Sequence, residues 1–327
     1  MIDGDAMIEV VGLTRSFENV RAVDGISFRV MPGQVVGFIG ANGAGKTTTM
    51  RMLVTLDAPD SGSLRLAGWD VTEHPEEVRR RVGWMPDHYG VYQNVSVFDY
   101  LDFYARAYGY SGEDRRKRVN EVMGFADLTP LADRPMSGLS KGMGQRLCFG
   151  RTLLHDPDVL ILDEPAAGLD PKARIEFKNL VRLLAEKGKT IFISSHILSE
   201  LGEMCDSLLF IDAGKIVHHG SAESLTRDES ATAVVEIRVL GSPQNLENWL
   251  SVNAGWKLLD RRRDGVLAEF QSDQAGDLAL QLRRLIGEGI EVIDFHRREK
   301  RLEEAFVELL RKEHQRNDPP PFPKTEL

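Results

Sequence analysis

An apolar strand that runs straight into a glycine-rich turn and then a helix is the feature that most limits what this chain can become. Val35 to Ile39 leads into Gly40-Ala41-Asn42-Gly43-Ala44-Gly45-Lys46-Thr47, which fits GxxxxGK[ST], and Lys46 to Leu56 reads as the helix that follows. The glycines let backbone N–H groups curl around a phosphate, the helix N-terminus adds positive potential, and Lys46 reaches the outer phosphates. The Thr47 hydroxyl can ligate magnesium, and Asn42, Ala44 and Thr48 complete the expected lining. A loop in this setting places the chain among α/β proteins with a largely parallel sheet.

The rest of the pattern fits that class. From Ile8 to about Gly220 short apolar strands alternate with helical stretches, as where Val159 to Leu162 precedes Lys172 to Glu186. Leu64 to Leu66, bounded by Pro59-Asp60-Ser61-Gly62 and Gly68, reads as a short antiparallel piece added at one side. Val95 to Gly124 looks mostly helical and interrupts the alternation, which predicts an inserted helical subdomain over residues 88–150 inside a first domain spanning 7–222. A polar stretch, Ser221 to Ala233, reads as a hinge. Beyond it come strand Val234 to Leu240, helix Gln244 to Val252, a hairpin of Trp256 to Asp260 and Val266 to Gln271, helix Gly276 to Ile286 and strand Ile290 to His296. That β-α-β-β-α-β order predicts a small α+β, ferredoxin-like C-terminal domain over residues 232–316. A last amphipathic helix is expected from Leu302 to about Glu313, and the proline-rich tail, 317–327, reads as disordered.

Charge narrows the function. A net charge of -9 argues against a chain whose main work is gripping nucleic acid through phosphate contacts, and the clusters Arg261 to Arg263 and Arg297 to Arg301 read as solvated strand ends. No run approaches the ~18 apolar residues of a membrane-spanning helix. The start MIDGDAMIEV has no basic region followed by an apolar stretch, so the expected location is inside the cell. Cys148 and Cys205 lie outside any metal or disulfide spacing and read as buried apolar residues.

Two further segments carry chemistry. The apolar strand Val159 to Leu162 ends in Asp163-Glu164, and strand alternation would point the two acids to opposite sides, with Asp163 holding magnesium and Glu164 activating a water. Leu139-Ser140-Lys141-Gly142-Met143-Gly144-Gln145-Arg146 precedes an apolar helix. With the phosphate loop before it and Asp163-Glu164 after it, this segment resembles the Leu-Ser-Gly-Gly-Gln signature of ATP-binding-cassette (ABC) ATPases. The shared spacing runs from Phe17 to His196, and Lys141 and Met143 depart from the usual form in a way similar to the ABC-2 type exporter branch.

The resemblance implies a P-loop NTPase fold of the ABC type and an ATPase that uses ATP and Mg2+. It implies a dimer with itself or a similar chain, in which Ser140 and Gly142 of one subunit cover the γ phosphate held by the other. By the same resemblance Phe17 stacks on adenine, Gly168-Leu169-Asp170 forms the dimer-contact loop, and His196 contacts the γ phosphate. The implied partners are integral membrane permease subunits on the cytoplasmic face of the membrane, with no nucleic acid. Where the family usually has Gln, this chain has Asp87, an acid able to ligate magnesium through oxygen but adding negative charge beside the phosphates. The rival reading is a soluble cassette ATPase acting on nucleic acid or ribosomes; such chains tend to carry long coiled coils or two cassettes, and this one has neither. All six tyrosines fall between Tyr89 and Tyr110. Phe98, Leu101 and Ala105 read as a subdomain core, whereas Tyr89 and Tyr92, in the loop after Asp87, read as an interface for a membrane subunit.

Overall fold

The computed structural model describes residues 6–226, 232–298, 302–307 and 309. The chain divides after Ala222 into two compact units. In the first, β1 (Ile8–Phe17) and β2 (Val20–Val30) pair antiparallel. The chain then enters β3 (Val35–Ile39), whose five residues are all buried, as expected of a strand covered on both faces. Helix α1 (Lys46–Leu53) follows, and β4 (Ser61–Leu66) and β5 (Trp69–Asp70) return to the first hairpin to give an antiparallel sheet of order β2-β1-β4-β5. The antiparallel piece expected at Leu64 to Leu66 is therefore one strand of a separate four-stranded sheet. The long, half-exposed strands β1 and β2 alternate polar and apolar residues, so one face is solvated and the other buries Ile8, Val10, Leu13, Ile26 and Phe28.

Helix α1 stops three residues short of the expected Leu56. Thr55 turns left-handed (φ 65), and the amides of Leu56 and Thr55 bond back to Arg51 and Met52 in the manner of a Schellman ending. After α2 (Pro75–Arg81) comes β6 (Val82–Met85). The helical insertion consists of α3 (Val97–Ala107) and α4 (Gly112–Phe125), broken by a turn at Tyr108 to Ser111, and leads to α5 (Lys141–Leu153). Leu101 and Ala105 are buried there as expected, and Phe98 is half-buried. Strand β7 (Val159–Leu162), α6 (Pro171–Glu186), β8 (Thr190–Ser195), α7 (Leu198–Gly202), β9 (Ser207–Asp212) and β10 (Lys215–Gly220) complete a six-stranded sheet of order β10-β9-β3-β8-β7-β6. Its pairs are parallel except β10 with β9.

The two sheets meet through aromatic rings. Phe28 of β2 stacks on Phe192 of β8 with centroids 5.5 Å apart, and Phe38 of β3 lies 5.1 Å from Phe192. Such pairs contribute roughly 0.5–1.5 kcal/mol each beyond the area they bury. They fix β3 and β8 side by side, and the ends of those strands carry the chemistry. Both cysteines are free thiols, with Cys148 buried in α5.

The expected hinge contains a short helix, α8 (Ala222–Thr226), and residues 227–231 of it lie outside the described residues. In the second unit β11 (Ala233–Val239), α9 (Gln244–Val252), β12 (Trp256–Arg261), β13 (Gly265–Phe270), α10 (Ala275–Gly287) and β14 (Val292–Arg297) form an antiparallel sheet of order β12-β13-β11-β14. Each helix connects strands separated by one neighbour, which is the ferredoxin-like arrangement. Val235, Ile237, Leu246, Trp249, Val266 and Leu285 fill its core. Residues 302–307 are helical; the remainder of the expected last helix, other than residue 309, and the tail lie outside the described residues.

Candidate functional site

The loop Gly40 to Thr47 joins the buried end of β3 to α1. Gly45 sits at φ 110, in a region closed to most side chains, and a methyl group placed on it would overlap the carbonyl oxygen of Ala22; at Gly40 it would overlap that of Ile211. Glycine is therefore required on steric grounds, and the loop stays open. No side chain caps α1 at Gly45, so the unpaired first-turn amides and the positive end of the helix face the loop. Lys46 is only 6% exposed, and its Nζ donates to the carbonyl oxygens of Gly40 (2.7 Å) and Ala41 (3.3 Å).

Parallel pairing brings the ends of β7 and β8 beside that helix. Thr47 Oγ1 donates to Asp163 Oδ2 at 2.8 Å, and Ser194 Oγ donates to Asp163 Oδ1 at 2.6 Å while accepting the Glu164 amide at 2.8 Å. Asp163 is buried, yet both of its oxygens are satisfied. Glu164 Oε1 lies 3.7 Å from Lys46 Nζ, and Glu164 Oε2 lies 2.8 Å from His196 Nδ1. Because a carboxylate only accepts, His196 donates from a proton on Nδ1, and Nε2 points away from that bond.

This corrects the expectation that the two acids point to opposite sides. Strand β7 ends at Leu162, and Glu164 takes a left-handed backbone, φ 48. The turn replaces pleat alternation, so both carboxylates converge on consecutive residues of the α1 N-terminus. Ser194 was not singled out in the sequence reading. Its signal is the Ser194-Ser195 pair that ends β8 after the apolar Ile191 to Ile193, with the pairing partner β7 carrying the acids at its end.

Lys46, Thr47, Asp163, Glu164 and His196 thus form one cluster. Gly40 to Gly45 and Thr48 belong to the loop and helix start that carry it, and the expected site residues beyond them stand outside it. Ser140 caps α5 by accepting the Met143 amide at 3.4 Å, and Gly142 packs near Leu169; among the described residues no hydrogen bond or ion pair joins either to the cluster. Asp170 caps α6 through the Ala173 amide at 2.8 Å. Phe17 is 44% exposed at the end of β1, with the Arg15 guanidinium 4.8 Å over its ring. The Asp87 carboxylate turns to His88 Nδ1, 2.8 Å away. Gln145, also not singled out, reaches from α5 to the Ala167 carbonyl at 3.2 Å, linking the Ser140 segment to the loop before Asp170. Tyr92 is 53% exposed as expected of an interface residue, but Tyr89 is half-buried and turns inward onto α5.

Known proteins resemble this chain. Residues 23–167 match the ABC transporter family. The Nod factor export ATP-binding protein I of Ralstonia nicotianae is 39% identical over 72% of this chain and 74% of its own length. The ABC transporter ATP-binding protein NatA of Bacillus subtilis is 34% identical over 68% of this chain and 93% of its own. A dimeric ATP-binding cassette in a post-hydrolysis state, bound to ADP and Pi, superposes with a TM-score of 0.62 at 22% identity, covering 66% of this chain and 98% of that one. A phosphate loop, a convergent acid pair and relatives of this identity and coverage lead to one assignment: the chain belongs to the ABC transporter family, as one of its ATP-binding, ATP-hydrolysing subunits.

Proposed function

We propose that the chain powers export through separate membrane subunits by hydrolysing ATP at sites completed between two copies of itself or with a similar chain. The observation that carries this reading is the cluster at the α1 N-terminus, where Lys46, Thr47, Asp163, Glu164 and His196 stand within reach of one phosphate position. Lys46 and the first-turn amides hold the β and γ phosphates, Phe17 offers an exposed face to adenine, and Glu164, held between Lys46 and His196, is oriented to align a water with the γ phosphorus. His196 Nε2 is free to take part in holding that water or the phosphate. The phosphoryl acceptor in this reading is water.

Thr47 and Asp163 suit magnesium. Among the described residues no group of three or more His, Cys, Asp or Glu side chains could hold a metal alone, and magnesium prefers one or two carboxylates completed by water and substrate phosphates. An all-oxygen pair already hydrogen-bonded together matches that preference. When bound, the ion neutralises charge on the phosphate oxygens. Asp87 would have to release His88 to join the metal's ligands.

Ser140 and Gly142 lie apart from the cluster of their own chain, which favours their acting on a nucleotide held by a partner; the dimeric cassette of the same fold supports this. No described helix is long and apolar enough to cross a membrane, which favours separate membrane subunits, and the export named for the Ralstonia relative favours that direction. The site lies on the cytoplasmic side in this reading. Specific ATPase activity should rise with protein concentration and plateau, because one chain supplies only half of each site. Hydrolysis measured beside sedimentation tests it: full specific activity in a strictly monomeric sample would overturn the shared site.

A further inference from the structure

The signature segment of this chain carries an extra glycine that the phosphate chemistry does not use. Gly144, in the first turn of α5, faces Tyr89: a methyl group placed on Gly144 would overlap the Tyr89 hydroxyl and ring, and that hydroxyl donates to the Lys141 carbonyl at 3.4 Å. Tyr89 comes from the loop between β6 and α3, two residues after Asp87. The same segment grips α5 and its approach at two more places. Arg151, near the end of α5, donates to the Trp84 carbonyl at 3.0 Å, and the Met136 amide bonds the Val95 carbonyl at 2.9 Å. The stretch Trp84 to Val95 is therefore fastened to the stretch Met136 to Arg151 at both ends and in the middle.

We propose that Tyr89 is a positioning residue that locks the Asp87 loop to the first turn of α5, so that Asp87 and the Ser140–Gly142 segment move as one body. The proposal rests on the functional reading above, in which Ser140 and Gly142 act on a nucleotide. Tyr89 touches no reacting atom; it acts by fixing the angle at which α5 presents its N-terminus. A glycine at 144 is what lets the hydroxyl end of the ring come up against the helix. The site at α1 does not depend on this contact, so nucleotide affinity and turnover separate: binding belongs to the phosphate loop, and turnover to the joint placement of loop and signature.

The test is a double-mutant cycle on the full-length protein with Tyr89→Ala, Gly144→Ala and both together. The three atoms nearest a methyl group at 144 all belong to the far end of the Tyr89 side chain, so Gly144→Ala is expected to displace Tyr89. Each single change is expected to lower kcat about tenfold with unchanged affinity for ATP, and the double variant should be no slower than either, as for side chains that act through one contact. Tyr89→Phe, which keeps the ring, should restore most of the rate. Hydrogen exchange of the α5 first turn should quicken in Tyr89→Ala while the β7 amides stay protected. Independent, multiplying effects on kcat, or an α5 turn whose exchange does not change, would overturn the proposal. A parent protein that binds ATP but never hydrolyses it would fail the functional reading alone, and the exchange measurement would still decide the lock.

Discussion

Replacing Glu164 by Gln should leave ATP bound and unhydrolysed. The amide keeps an oxygen that can accept from His196 Nδ1, now 2.8 Å away, so the side chain stays in place, but it can no longer take a proton from water. Losing a positioned base costs roughly 10²–10⁴-fold in rate. Nothing is removed from the phosphate loop, where Lys46 and the α1 amides remain, so equilibrium binding of ATP should stay near that of the parent, and the closed dimer should accumulate in the presence of ATP. Single-turnover hydrolysis, ATP binding and size-exclusion chromatography on the same sample check all three parts. Parental hydrolysis in this variant would remove Glu164 from its role.

Lys46→Ala should fail in a different way, by losing the nucleotide. The ammonium is buried and makes two hydrogen bonds to loop carbonyls as well as an ion pair with Glu164, so it is held at the mouth of the loop. A hydrogen bond to a charged group contributes roughly 1.5–3 kcal/mol, so with two phosphates released the affinity for ATP should fall on the order of 10²-fold or more and turnover should be undetectable. Removing the cation also leaves Glu164 facing His196 without its second partner. Equilibrium binding of ATP, with thermal melting to confirm the fold, separates this outcome from that of Glu164→Gln. Unimpaired binding by a folded Lys46→Ala protein would mean that the loop amides alone hold the phosphates.

How far the sequence spoke for itself depended on distance along the chain. The phosphate loop, the β7 acids and the β-α-β-β-α-β order of the second unit are set by contiguous residues, so periodicity and local turn chemistry exposed them. The sheet order β12-β13-β11-β14 then follows from connection rules with little freedom left. Contacts that depend on two remote segments meeting were hidden. Ser194 serves Asp163 only because β8 lies beside β7, and Tyr89 turns inward only because Gly144, far along the chain, has no side chain. Position in the loop after Asp87 suggested an exposed tyrosine pair; packing kept Tyr92 outside and turned Tyr89 in. The convergence of Asp163 and Glu164 was hidden for another reason: a single left-handed residue cancels the alternation that a strand reading assumes.

That left-handed residue also bears on how this chain can be improved. Held at φ 48, Glu164 occupies a conformation that glycine and asparagine adopt more easily, and a non-glycine residue there forgoes on the order of 1 kcal/mol of folding free energy. Selection for heat resistance would set that backbone gain against the lost ion pair to Lys46 and the lost hydrogen bond from His196, and glycine or asparagine at 164 would in either case remove the water-activating carboxylate. Engineering for durability has to hold position 164 fixed and seek its gains elsewhere, because at this one residue backbone ease and turnover are opposed.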